Sequence, residues 1–178
     1  HSDHMGDALA LAREHGAPVI SNYDLCTYLE AQGAPRTSGM NLGGTQEACG
    51  VSISMVRADH SSGFFHDGLP VYGGLAAGFV VRGDGWSFYF AGDTALFSDM
   101  GLIAELYHPQ LAFLPIGDHF TMGPDAAALA TRMLGVRQIV PMHFGTFPLL
   151  KGTPDRLKKL VEPHGVDVLV LKPGETAE

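Results

Sequence analysis

The order of apolar and polar residues divides the chain into short elements. In Met5–His15 (MGDALALAREH), Ala8, Leu11 and Ala12 share one helical face, and Gly16 followed by Pro18 ends the run. Asp7 in the first turn suits the helix dipole. Pro18–Ser21 predicts a short buried strand. Asn22 is placed to cap a helix over Tyr23–Gln32, which Gly33 and Pro35 close. After a loop through Gly43 and Gly44, Val51–Ala58 alternates apolar with polar residues, the period of a half-buried strand. Ser61–Gly74 holds several glycines, adjacent Phe64 and Phe65, and His66, and reads as a long loop of the kind that tends to carry function.

The second half alternates more regularly. Ala76–Arg82 and Ser87–Ala91 are apolar strands joined by Gly83-Asp84-Gly85, a strong hairpin signal. Leu96–Tyr107 predicts a helix stopped before Pro109, and Leu111–Ile116 a buried strand. A polar loop, Gly117–Gly123, leads to a helix over Pro124–Leu134 with proline at its first position. A strand over Gln138–Met142, a helix from Pro154 to Val161 and a strand over Val166–Leu171 complete the pattern. Helices alternating with strands around a central hairpin argue an α/β layered architecture with helices on both outer faces.

Composition narrows the function classes. The chain has 178 residues, 46% apolar and 17% charged, as expected of one globular domain over 1–178. A formal net charge of −8 with no basic run disfavours a nucleic-acid partner. No apolar stretch reaches the roughly 20 residues needed to cross a bilayer, so no membrane partner is expected. Cys26 falls beside Leu25 and Leu29 at helical spacing and reads as a reduced core thiol, and Cys49 forms no CxxC pair with it. A cytoplasmic location follows as an expectation.

Nine histidines are many for this length. The chain opens His1-Ser2-Asp3-His4, two imidazoles and a carboxylate that make good ligands for a borderline metal such as zinc. His60, Asp93 and His143 each stand just after an apolar strand, where a rigid scaffold can hold reactive groups beside open loops. Each alone has an ordinary explanation: a hydrogen-bonded loop histidine, a turn aspartate, a satisfied core imidazole. Their joint occurrence carries the inference.

The pattern resembles the metallo-β-lactamase fold. That signature is His-x-His-x-Asp-His, then an isolated His, an Asp in a Gly-Asp-Thr-like turn, and a last His. The matching text is His1-Ser2-Asp3-His4, Ala58-Asp59-His60-Ser61, Ala91-Gly92-Asp93-Thr94 and Pro141-Met142-His143-Phe144. Met5-Gly6-Asp7-Ala8, Phe97-Ser98-Asp99-Met100 and Pro115–Pro124 are similar to a branch of metal-dependent hydrolases of mostly unassigned substrate, itself similar to lactonases that open ascorbate-6-phosphate. Because the match continues through Gly6-Asp7-Ala8, a tag remnant does not explain His1–His4. The family's first metal-binding His would lie just upstream of His1. The expectation is therefore an αββα sandwich whose N-terminal strands and first ligand are missing from the chain.

The resemblance implies two divalent metal ions, zinc first and manganese or iron also admitted. One would be held by the absent upstream His, His1 and His60, the other by Asp3, His4 and His143, with Asp93 bridging. A shared water, ionised near neutral pH, would attack an ester, lactone or phosphoester bond of a small metabolite. Asp3 would orient that nucleophile or take its proton. His119 would donate a proton to the leaving group, or with Asp118 hold a ligand imidazole; the bland alternative is a capped loop. His66 and Tyr72 would border the cleft. The competing readings are a phosphodiesterase or nuclease on the same site and a non-catalytic metal-binding scaffold. The expected partner is a small-molecule substrate, with a homo-oligomer left open.

Overall fold

A computed structural model of the chain describes residues 1–177. A single helical turn, α1 (Ser2–Met5), is followed by α2 (Ala8–His15), β1 (Val19–Asn22), α3 (Tyr23–Ala31), β2 (Thr37–Met40), β3 (Thr45–Ala48) and β4 (Val51–Arg57). Then come β5 (Phe64–His66), β6 (Leu69–Val71), β7 (Ala77–Gly83), β8 (Trp86–Phe90), α4 (Met100–Tyr107), β9 (Leu111–Pro115) and α5 (Pro124–Leu134). The chain ends through β10 (Gln138–Met142), α6 (Pro154–Val161), a 3-10 turn (Glu162–His164) and β11 (Asp167–Val168).

Seven strands form the main sheet in the order β11-β10-β9-β8-β7-β4-β3. β8, β9, β10 and β11 run parallel; β7 is antiparallel to β8 and to β4. Two reversals make β4 parallel to β8, so β4, β8, β9 and β10 all end on one edge of the sheet. That edge is where the expected ligands leave their strands.

Alternation decides which face each side chain serves. Val80, Tyr89, Ala112, Leu114 and Ile139 are 0% exposed and pack beneath α4, α5 and α6. The opposite face carries Ile53, Phe79, Val81, Phe88 and Phe90, which look toward Ile20 of β1 across a cleft. β1 and β2 form a small parallel sheet with α3 packed on it. The layers are thus helix, sheet, sheet, helix, as expected of an αββα sandwich. No described helix is long and apolar enough to cross a membrane.

The structure corrects several expectations. The helix expected from Met5 is two pieces, because Gly6 takes φ 38 and breaks the helical path. The residues preceding α4 are not helical; they carry Phe97, which packs into the core under the guanidinium of Arg57. The last strand pairs over Asp167–Val168 alone. The long loop contains a hairpin, β5–β6, turned by Asp67-Gly68 at φ 51 and 77. β3 and β4 are likewise joined at Cys49-Gly50, φ 51 and 80. Both turns have the two positive φ values of the type that matches strand twist. Cys26 is buried and free, and Cys49 is exposed and free.

Candidate metal centre

Each strand-end residue is set by a local device. β8 runs out through Ala91 to Gly92, at φ 64, where a Cβ would come 3.0 Å from the carbonyl oxygen of Ala77. A side chain there would be crowded and strained, so glycine eases the turn, which presents Asp93 with its side chain 8% exposed. Thr94, 0% exposed, accepts a hydrogen bond from the Asp59 amide at 2.9 Å through Oγ1 and donates to Ala95 O at 2.8 Å. It ties the segment carrying His60 to the segment carrying Asp93. At the end of β10, His143 takes φ 54, and its carbonyl lies so close to Gly117 that a Cβ there would come within 2.1 Å. A non-glycine residue at positive φ is uncommon, and such positions gather at functional sites.

These devices bring the groups together. The Oδ2 of Asp93 is 3.0 Å from Nε2 of His4, 3.4 Å from Nε2 of His143 and 3.7 Å from Nε2 of His60. Asp3 Oδ2 is 3.8 Å from His4 Nε2. The His1 and His60 rings meet edge-on at 5.0 Å, and those of His4 and His143 stack at 6.1 Å. Ligating atoms of Asp3, His4, Asp93 and His143 lie within 4.8 Å of one another, as do those of His1, His60 and Asp93. Asp93 belongs to both groups.

The electrostatics are those of a cluster that takes a cation. The hydrogen bond to Asp93 raises the pKa of His4 against the effect of burial, and the charges of Asp93 and Asp3 add to it. Burial lowers that of His60. For Asp93, burial acts to raise the pKa, but the hydrogen bond from His4 and the charges of His4, His143 and His60 outweigh it and hold the carboxyl below its usual range. Asp93 Oδ1 and His143 Nδ1 are buried without a hydrogen-bond partner among the described residues. A buried carboxylate oxygen with no donor is costly. Imidazole and carboxylate together suit a borderline divalent cation, which would satisfy that oxygen.

The other expected residues fall elsewhere. His119 and Asp118 sit at φ 60 and 64 in the loop after β9. The Asp118 carboxylate accepts from the amide of His119 at 2.8 Å, and the His119 ring packs edge-on against Phe120. Because His143 Nδ1 has no partner, neither residue holds that imidazole. Their loop is nonetheless tied to both ligand segments, through Met122 N to Thr94 O at 3.0 Å and through Gly117 against His143. His66 makes a latch: its Nδ1 lies 2.8 Å from the hydroxyl of Tyr28. Phe64 is buried and lines the cavity beside the cluster, while Phe65 and Tyr72 are exposed. Asp7 precedes α2 without a side-chain cap bond, and His15, His108 and His164 are exposed. The cavity measures about 340 Å³, the scale of a small-molecule site.

Three residues have roles that the sequence pattern shows only in part. Thr94 was legible only as part of Gly-Asp-Thr. Ser61, whose Oγ is 3.0 Å from His1 Nε2, had only its place beside His60 to mark it. Asn22 was read as a helix cap, which it is, accepting from Leu25 N at 2.8 Å; it also donates to Gly73 O at 2.7 Å and so pins the base of the β5–β6 excursion.

Residues 1–144 match the beta-lactamase superfamily domain. The chain belongs to that superfamily. A UPF0173 metal-dependent hydrolase from Solibacter usitatus is 46% identical over 179 residues, covering 100% of this chain and 78% of the relative. One from Deinococcus radiodurans is 48% identical over 178 residues, covering 100% and 76%. Among solved structures, Igni18, a metallo hydrolase from the hyperthermophilic archaeon Ignicoccus hospitalis, superposes with a TM-score of 0.88 at 40% identity, covering 99% of this chain and 75% of that one. The chain is therefore a metal-dependent hydrolase with the metallo-β-lactamase fold, and the reading as a non-catalytic scaffold is set aside.

Proposed function

We propose that the enzyme hydrolyses an ester, lactone or phosphoester bond of a small metabolite at a dinuclear centre. The observation that supports this most is the single carboxylate oxygen of Asp93 facing the Nε2 atoms of three histidines at 3.0, 3.4 and 3.7 Å. His1 and His60 would hold one cation, and Asp3, His4 and His143 the other, with Asp93 shared. Zinc suits this donor set, and manganese or iron is compatible with it. Divalent cations so held supply Lewis-acid chemistry, making water nucleophilic near neutral pH and stabilising charge that develops on the attacked group.

The chain's own groups do the rest. Asp3, its side chain 57% exposed, is free to orient the attacking water and take up its proton. His119, exposed on a loop tied to both ligand segments, donates a proton to the departing oxygen. The net charge of −8 disfavours long polyanions and supports a small substrate, which suits a cytoplasmic enzyme acting through one domain over 1–178 without a nucleic-acid or membrane partner.

A panel of lactones, thioesters and bis-p-nitrophenyl phosphate, assayed with the metal-loaded protein, tests this. Turnover of a lactone or ester is the expected result. Turnover confined to the phosphodiester would shift the reading to a phosphodiesterase. Zero turnover across the panel at full metal loading would count against both.

A further inference from the structure

Ser61 follows His60 directly, and its hydroxyl oxygen lies 3.0 Å from Nε2 of His1, sixty positions away in sequence. The contact joins the turn that opens the chain to the residues that follow β4. The two imidazoles so joined face one another edge-on at 5.0 Å, and both belong with Asp93 to the same ligand group.

A neutral imidazole carries one N–H, and which nitrogen carries it is set by what the other ring atom meets. If Ser61 donates to Nε2, the proton sits on Nδ1 and that nitrogen has no lone pair to offer. If Ser61 accepts from Nε2–H, Nδ1 is left bare and able to ligate. We propose that Ser61 is a positioning residue for the metal centre: its hydroxyl accepts from Nε2–H of His1, fixes the tautomer and ring direction, and presents Nδ1 as the ligand. The proposal rests on the dinuclear reading above.

The neighbouring serine has a different task. Ser62 donates through its hydroxyl to the carbonyl of Gly74, closing the base of the β5–β6 excursion. One serine thus ties a loop to itself and the other ties a ligand to its partner strand. Outer-shell groups that orient a ligating histidine are typically worth about 10–100-fold in metal affinity.

The test compares wild type with Ser61→Ala, Ser61→Thr and Ser62→Ala by zinc stoichiometry and chelator competition. It adds long-range nitrogen–proton spectra of the histidine rings in the zinc-loaded wild type. The expected result is two zinc ions in the wild type and an affinity for one of them lowered about 10–100-fold in Ser61→Ala. Recovery is expected in Ser61→Thr, both ions should stay bound at wild-type affinity in Ser62→Ala, and the His1 ring should be protonated at Nε2. Two ions held with unchanged affinity in Ser61→Ala, or a His1 ring protonated at Nδ1, would overturn the role of Ser61 while leaving the dinuclear reading intact. A wild type that takes up no divalent cation would overturn both.

Discussion

The helix-covered side of the main sheet and the opening turn of the chain each supply three of the six candidate ligands, but they hold them differently. His60, Asp93 and His143 follow parallel strands whose inner faces are buried, and their side chains are 16%, 8% and 15% exposed. His1, Asp3 and His4 lie on or beside a single helical turn with no buried residue, cut off from α2 by Gly6. One half of the site is prepared by the fold. The other is held by contacts with the first, through His4 to Asp93 and His1 to Ser61. A ligand set divided in this way gives a cation the work of joining the halves, which couples metal uptake to local order.

The largest effect should come from removing the group that both ligand clusters share. Asp93→Ala takes away the shared carboxylate, and turnover is expected to fall by orders of magnitude while circular dichroism and melting stay near wild type. Wild-type turnover in that variant would remove the bridge from the account. Next comes packing. Leu114→Ala beneath the helices should cost about 2–5 kcal/mol of unfolding free energy, whereas Leu11→Ala on α2, 51% exposed, should stay within about 0.5 kcal/mol. Equal losses in denaturant titrations of the two would mean that the helix-covered side of the sheet is not the packed core of the fold.

A smaller effect is expected at His119, whose replacement by Ala should lower turnover about 10–100-fold, the loss typical of a group outside the ligand cluster, without changing metal content. A collapse as deep as that of Asp93→Ala would move His119 into the ligand cluster. The smallest separation is in pH. In the unloaded protein the raised pKa of His4 keeps its proton to higher pH than an ordinary histidine, and a cation must displace that proton. Metal affinity should therefore fall as pH drops below that raised pKa, by about tenfold per unit for each proton that the cation must displace. Asp93, with its pKa held low, stays ionised and adds no step in this range. Affinity independent of pH would contradict the His4 assignment.

The sequence made the strand ends legible because period-two alternation and helical spacing are strong wherever a face is fully buried. β7, β8, β9, β10 and α5 are all recovered, and so are His60, Asp93 and His143 at the ends of their strands. Reading failed where backbone conformation rather than burial decides. The Asp67-Gly68 hairpin was hidden in a glycine-rich stretch whose strands are three residues each, and the Cys49-Gly50 turn places an unlikely residue at φ 51. Gly6 reads like any other glycine until its φ shows that it splits a helix. The roles of Tyr28, Ser61 and Thr94 depend on partners 35 to 60 positions away, which no local pattern encodes.

Anomalous scattering from crystals of the metal-loaded protein puts the central claim to its most direct test. Two peaks about 3.5–4 Å apart are expected to flank Asp93, one beside His1 and His60 and the other beside Asp3, His4 and His143. A single peak remote from Asp93, or none at full metal occupancy in solution, would contradict it.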